Sequence, residues 1–216
     1  MSAITGILDL NCNTIPNKNE IIKMTNAVEH RGPDGNYHYY ADSCHLGCSI
    51  FNLSKSKNSL PYVSNSKNFV IVYDGAIYNY DELKTELRKI DSSIQVISEP
   101  DLIIKSYQAW GKNCFKKFDG IFAIAIWDNL TKSLILARDR KGLIPLYYYF
   151  DTKYLIFSTE IKGIISSDLF KKAINTEGIF EYLCRSLPPW PNTMYKDVLR
   201  IMPGSILYYE KNQNVK

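Results

Sequence analysis

Short apolar blocks separated by polar turns run the length of this chain, and their spacing predicts the elements. Ala3 to Leu10 carries almost no charge and predicts a buried strand. Glu20 to Glu29 places Ile21, Ile22, Met24 and Val28 at helical spacing. Residues 31–35, RGPDG, end that helix with turn residues. Strands follow at Tyr37 to Tyr40, His45 to Leu53 and Phe69 to Tyr73, the last two separated by a polar loop, SKSKNSLPYVSNSKN. Tyr80 to Ile90 predicts an amphipathic helix with Leu83 and Leu87 on one face, and Asp101 to Trp110 a second helix with Pro100 at its start. Strands are expected at Ile121 to Trp127, Ser133 to Ala137, Leu146 to Phe150 and Tyr154 to Ser158. Asp128-Asn129 and Asp151-Thr152 turn these into hairpins. Ile161 to Ile165 and Thr176 to Cys184 read as helices, and Ser205 to Tyr209 as a last strand beyond Pro188, Pro189 and Pro191. Antiparallel hairpins with helices in two groups indicate an α+β fold of stacked layers, in which each apolar strand is expected to be buried on one side.

Composition narrows the class. A chain of 216 residues that is 45% hydrophobic and 22% charged suits one globular domain. The net charge is +4 with scattered lysines, so no nucleic-acid surface is expected. No segment has the length of a membrane span or the layout of a signal peptide, and the expected location is the cytoplasm. There are five cysteines, at 12, 44, 48, 114 and 184, without metal-ligand spacing. Cys44 and Cys48, with His45 between, lie on one face of a strand roughly 13 Å apart, too far to share an ion. No metal and no cofactor is expected.

The chemistry begins at MSAITGI. Removal of Met1 ahead of the small Ser2 would put a free amine and a hydroxyl on one residue, a base and a nucleophile together. The alternative is that Ser2 only begins a strand.

MSAITGI, RGPDG at 31–35, DGAIYNYDELK at 74–84, FDGIFAIAIWD at 118–128, ARDRKGLIPLYY at 137–148, FSTEIKGI at 157–164 and LRIMPG at 199–204 occur in this order. Together they resemble the N-terminal glutaminase domain of asparagine synthetases, a class II glutamine amidotransferase. The resemblance spans roughly the whole chain. It implies an Ntn-hydrolase-like four-layer αββα sandwich, two antiparallel sheets between helices. It also implies one amidotransferase-like domain over 1–216, a core to about 185 and a C-terminal extension, 186–216, toward a synthetase domain that this chain lacks.

Residue by residue, the resemblance implies a degenerate site. The nucleophilic cysteine is replaced by Ser2, and the adjacent glycine by Ala3. The arginine that grips the glutamine carboxylate falls at Ser49, which cannot form a bidentate charged pair. The Asn-Gly of the oxyanion hole becomes Asp74-Gly75, and an ionised Asp74 would repel the developing oxyanion. The carboxylate for the substrate α-amine is replaced by Ala76, and its second carboxylate falls at Glu99. Arg31, Gly32, Pro33, Asp34 and Gly35 persist, as do Tyr78 and Asn79. Arg138, Asp139 and Arg140 also persist and read as ion pairs that fix the sheet. The first group reads as architecture, with RGPDG at the border of the old pocket.

The leading reading is therefore an impaired glutaminase, a partner or scaffold for a separate asparagine synthetase-like, ATP-using subunit; self-association into a homo-oligomer is the other partner expected. SLPPWPNTMY, residues 186–195, is a docking candidate with Trp190 as anchor, or else a buried proline-aromatic corner. The alternatives are a Ser2 amidohydrolase with altered substrate, and a slow glutaminase of an asparagine synthetase.

Overall fold

The computed structural model describes residues 2–11, 15–52, 60–186 and 190–211. Two antiparallel sheets are stacked face to face. The first has six strands in the order β10-β8-β9-β1-β3-β2 and the second five, β11-β7-β6-β5-β4. In chain order the elements are β1 (Ala3–Asp9), α1 (Lys18–Ala27), β2 (Asn36–Tyr40), β3 (Cys44–Ser49), β4 (Tyr62–Val63) and β5 (Phe69–Ile77). Then come α2 (Tyr80–Ile90), α3 (Glu99–Trp110), α4 (Cys114–Lys117), β6 (Gly120–Asp128), β7 (Ser133–Arg138), β8 (Tyr147–Phe150) and β9 (Tyr154–Ser158). α5 (Ile161–Ile165), α6 (Thr176–Arg185), β10 (Val198–Arg200) and β11 (Ile206–Glu210) complete the fold. The layers match the expected αββα sandwich.

Strand alternation explains the layering. On β1, Ile4 and Leu8 join the core between the sheets, while Ile7 joins a second cluster with Ile21 and Met24 of α1 and Ile164 of α5. β1, β3 and β7 are consequently buried along their whole length, on both faces rather than one. Glycines permit the close contacts. A Cβ on Gly47 of β3 would lie 2.4 Å from Thr25 Oγ1 of α1 and 2.7 Å from Thr5 Oγ1 of β1.

Most elements lie where the pattern puts them. α1 starts at Lys18, capped by Asn17, and a 3-10 turn over Glu29–Arg31 follows it. α3 starts at Glu99 with Ser98 as N-cap and Pro100 in its first turn. β5 runs on to Ile77, so Asp74, Gly75 and Ala76 are strand residues, in register with β6. β3 stops at Ser49; Leu53, the end of the expected strand, and 54–59 of the expected polar loop are outside the described residues, as are Cys12, Pro188 and Pro189. β4, α4 and β10 were not legible, because two to four residues carry too little periodicity. The hairpin turns are closed by carboxylates: Asp128 Oδ1 accepts from Leu130 N and Asp151 Oδ1 from Lys153 N, each at 2.8 Å.

The ARDR segment is held differently from the expectation. Among the described residues Arg138 and Asp139 form no direct ion pair. Arg138 donates to the carbonyls of Ile144, Ile201 and Gly142 at 2.6–2.7 Å. Asp139 accepts from the N–H groups of Lys141, Leu143 and Ile144. A buried loop needs its backbone groups satisfied, and these two side chains do that. Trp190 is not a buried corner: 45% exposed, it has a guanidinium on its ring from Arg138 and from Arg200.

No helix among the described residues is long and apolar enough to cross a membrane, and no group of three or more potential metal ligands occurs among them. The thiols of Cys48 and Cys114 are pushed up to about 12 by burial, so neither is a thiolate near neutral pH.

His45 carries a pH signature. It is fully buried beside Tyr40, its ring nitrogens have no partner among the described residues, and burial holds its pKa down to about 4. The unfolded chain binds a proton there below about pH 6.5 and the folded chain does not. The neutral ring's contribution is thus complete above that value and is lost as pH falls toward 4. Urea unfolding at pH 7 and pH 4.5 is expected to show this loss, up to about 3 kcal/mol, and His45→Leu to flatten it. Equal pH slopes in the two proteins would overturn the assignment.

Candidate active site at the N-terminal serine

Three chain segments converge on Ser2. It enters β1 at the middle of the first sheet; Asp74 lies on β5 of the second; Arg31 ends the 3-10 turn after α1. The Ser2 backbone N donates to Asp74 Oδ1 at 2.9 Å. Arg31 Nη2 donates to Asp74 Oδ2 at 3.0 Å, and Arg31 Nε to the Ser2 carbonyl at 3.0 Å. Ser2 Oγ accepts from the Phe51 N–H at 3.1 Å, and no side-chain base bonds to it among the described residues.

RGPDG positions this cluster. Gly32 lies so close to β3 that an added Cβ would come within 2.2 Å of the Ser49 carbonyl carbon. Pro33 bridges to Ile50, and Asp34 Oδ2 accepts from Asn52 N at 2.7 Å. The loop is architecture, as expected, but Arg31 is more than that: it is the cation of the site.

Asp74 is not the lone anion that the sequence suggests. Its carboxylate is 2% exposed and both oxygens are taken. Burial pushes its pKa above the ordinary carboxylate range, against the pull of Arg31 and of the Ser2 N–H. An oxyanion hole needs donors aimed at open space. Asp74 is an acceptor instead, paired with the guanidinium of Arg31. Gly75 beside it has φ +127°, and a Cβ would lie 1.9 Å from the Ile121 carbonyl oxygen of β6. Gly75→Ala is expected to cost roughly 3 kcal/mol or more, from backbone strain plus the clash, read as a lowered thermal midpoint. A loss below about 1 kcal/mol would contradict the close strand contact.

Ser49 is not in the pocket. β3 turns its side chain to the α1 face, where Oγ donates to Asn36 Oδ1 at 2.7 Å and contacts the Thr25 carbonyl at 3.3 Å. The residue is fully buried. The alternation of β3 carried this signal: Leu46 and Cys48 face the other sheet, so 47 and 49 face the helix. Ala76 follows Gly75 on β5, partly exposed and without a polar group. Glu99 sits at the start of α3, where it accepts from Tyr73 Oη at 2.9 Å and from the Ile77 N–H. Burial raises its pKa against those two bonds. Glu99 is thus tied to the end of β5.

Sequence reasoning missed Glu160. Burial opposes its charge, but His30 at 3.0 Å and Lys162 at 3.3 Å pull its pKa below the ordinary range, and Arg31 Nη1 lies 3.4 Å away. Arg31 therefore bridges two carboxylates, and a cleft of about 420 Å³ opens beside it, lined by Arg31, Pro145, Tyr147, Thr159, Glu160 and Lys162.

Comparison with known proteins gives the family of the chain. A family model described as a glutamine amidotransferase domain matches residues 1–216. The putative asparagine synthetase [glutamine-hydrolyzing] 2 of Methanocaldococcus jannaschii is 33% identical over 97% of this chain and 44% of its own length. Asparagine synthetase [glutamine-hydrolyzing] 3 of Bacillus subtilis is 27% identical over 98% of this chain and 35% of its own. The chain thus spans less than half the length of these curated relatives. Among solved structures, the glutamine phosphoribosylpyrophosphate amidotransferase of B. subtilis shares the fold, with TM-score 0.67 and 14% identity over 99% of this chain and 48% of that one. By its motifs, its two-sheet architecture and this match over its full length, the chain belongs to the class II glutamine amidotransferase domain family.

Proposed function

We propose that this domain has lost useful glutamine hydrolysis and serves as partner or scaffold for an asparagine synthetase-like, ATP-dependent amide-forming polypeptide. One observation supports the reading most: the carboxylate of Asp74, the residue that the resemblance puts at the amide donor of the oxyanion hole, is an acceptor held by Arg31 and the Ser2 N–H. Two more support it. Ala76 has no charge for a substrate α-amine, and Ser49 is sealed under α1. The relatives that this chain resembles are named as glutamine-hydrolysing asparagine synthetases, and each extends well beyond the matched part.

The test has two arms. Ammonia release from glutamine by the purified protein is expected to equal that of Ser2→Ala. Purification from the native host is expected to bring down a polypeptide that converts ATP to AMP and pyrophosphate. Glutamine turnover near 1 s⁻¹, within the ordinary enzymatic range, would overturn the first half. A protein recovered without any ATP-using companion would overturn the second.

A further inference from the structure

Two guanidiniums flank Trp190, and they are in opposite states. The carbon of Arg138 lies 5.4 Å from the indole and that of Arg200 5.0 Å. Arg138 donates to three carbonyls. Arg200 makes no side-chain hydrogen bond and no ion pair among the described residues, and its Nε is buried with no partner among them. Strand register says where it points. Arg200 pairs with Tyr147, and Val198, two residues earlier, joins the outer cluster with Tyr149 and Phe170, so Arg200 shares that outer face. There its guanidinium also lies 5.8 Å from the Tyr147 ring.

Tyr147 is a wall of the cleft beside Arg31. The cations that line that cleft are committed: Arg31 to Asp74 and Glu160, and Lys162 to Glu160. Arg200 is outside that lining and meets the cleft only through the Tyr147 ring; it is the neighbouring cation left without a side-chain partner among the described residues. A guanidinium fixed between two aromatic faces keeps its planar fork of donors pre-oriented, and that fork matches an oxyanion.

We propose that Arg200, clamped by Trp190 and Tyr147, is a receptor for an oxyanion, a carboxylate or a phosphate. Nothing in the glutaminase-type site requires it, and it stands whether or not that site is active. A guanidinium that only packs on the two rings would be indifferent to which anion surrounds it.

Side-chain N–H spectra of the ¹⁵N-labelled full-length protein test this, with the Arg200 Nε–H identified by its absence in Arg200→Gln. Sodium benzoate and inorganic phosphate are titrated at constant ionic strength against sodium chloride. The expected result is a saturable shift of the Arg200 Nε–H and the Trp190 indole N–H with at least one oxyanion and none with chloride. Which of the two saturates at lower concentration identifies the carboxylate or the phosphate as the source. Arg200→Gln is expected to weaken the Trp190 response at least tenfold, and Arg200→Lys to weaken it less. The backbone spectrum reports whether each variant is folded; if Arg200→Gln is not, Arg200→Lys and Trp190→Phe carry the comparison. Linear shifts with both oxyanions, an equal response to chloride, or a Trp190 response that survives in folded Arg200→Gln would overturn the proposal.

Discussion

Ser2→Cys is expected to release no more ammonia from glutamine than Ser2→Ala. A thiolate repairs one deficit and leaves others. The Asp74 oxygens accept from Ser2 N and Arg31, so the Asp74 side chain offers no donor to a tetrahedral intermediate. Losing one such donor costs on the order of 10²–10³ in rate, and replacing it by an anion costs more. On the proposed reading, groups for substrate binding are missing as well. Ser49 is buried against Thr25 and Asn36, and Ala76 offers no carboxylate. These losses strike different terms, ground-state binding and transition-state charge, so they compound. A coupled ammonia assay with excess glutamine decides it. Turnover by Ser2→Cys within tenfold of ordinary enzymes, about 1 s⁻¹ or faster, would mean that Asp74 swings out of the site and that the groups assigned here are not limiting.

Arg31→Met is expected to destabilise the fold by about 3–5 kcal/mol, because it leaves Asp74 buried without a cation. For a chain of this size that lowers the thermal midpoint by roughly 10 °C. The sign with pH follows from the carboxyl. Without Arg31 the folded Asp74 holds its proton to higher pH than the unfolded one, so the penalty is largest near neutrality and shrinks as the solution is acidified through the raised pKa. Arg31→Met/Asp74→Asn is expected to recover most of the loss, since the buried charge goes with its partner. A single variant as stable as the parent would show the pair to be a surface contact.

The fold was legible because its elements are local. Leu83 and Leu87 four apart, Pro100 in a first turn, and Asp128 and Asp151 at hairpin bends each state their geometry within a few residues. The site was legible only in part, for two physical reasons. Arg31 and Asp74 are 43 residues apart and sit in different layers, so no periodicity joins them, and a charge judged alone took the wrong environment. Ser49 failed through register. An aligned position gives the residue, but the pleat decides which face it looks from, and one step along β3 separates the inter-sheet core from α1. Glu160 gave no signal, since its partners His30 and Arg31 come from about 130 residues away.

The contacts among Ser2, Arg31 and Asp74 have a mechanical consequence. They fasten one layer of the sandwich to the other through the first residue of β1, a turn cation and a strand carboxylate. Substituting any one of the three therefore loosens the joint between the two sheets as well as the site itself.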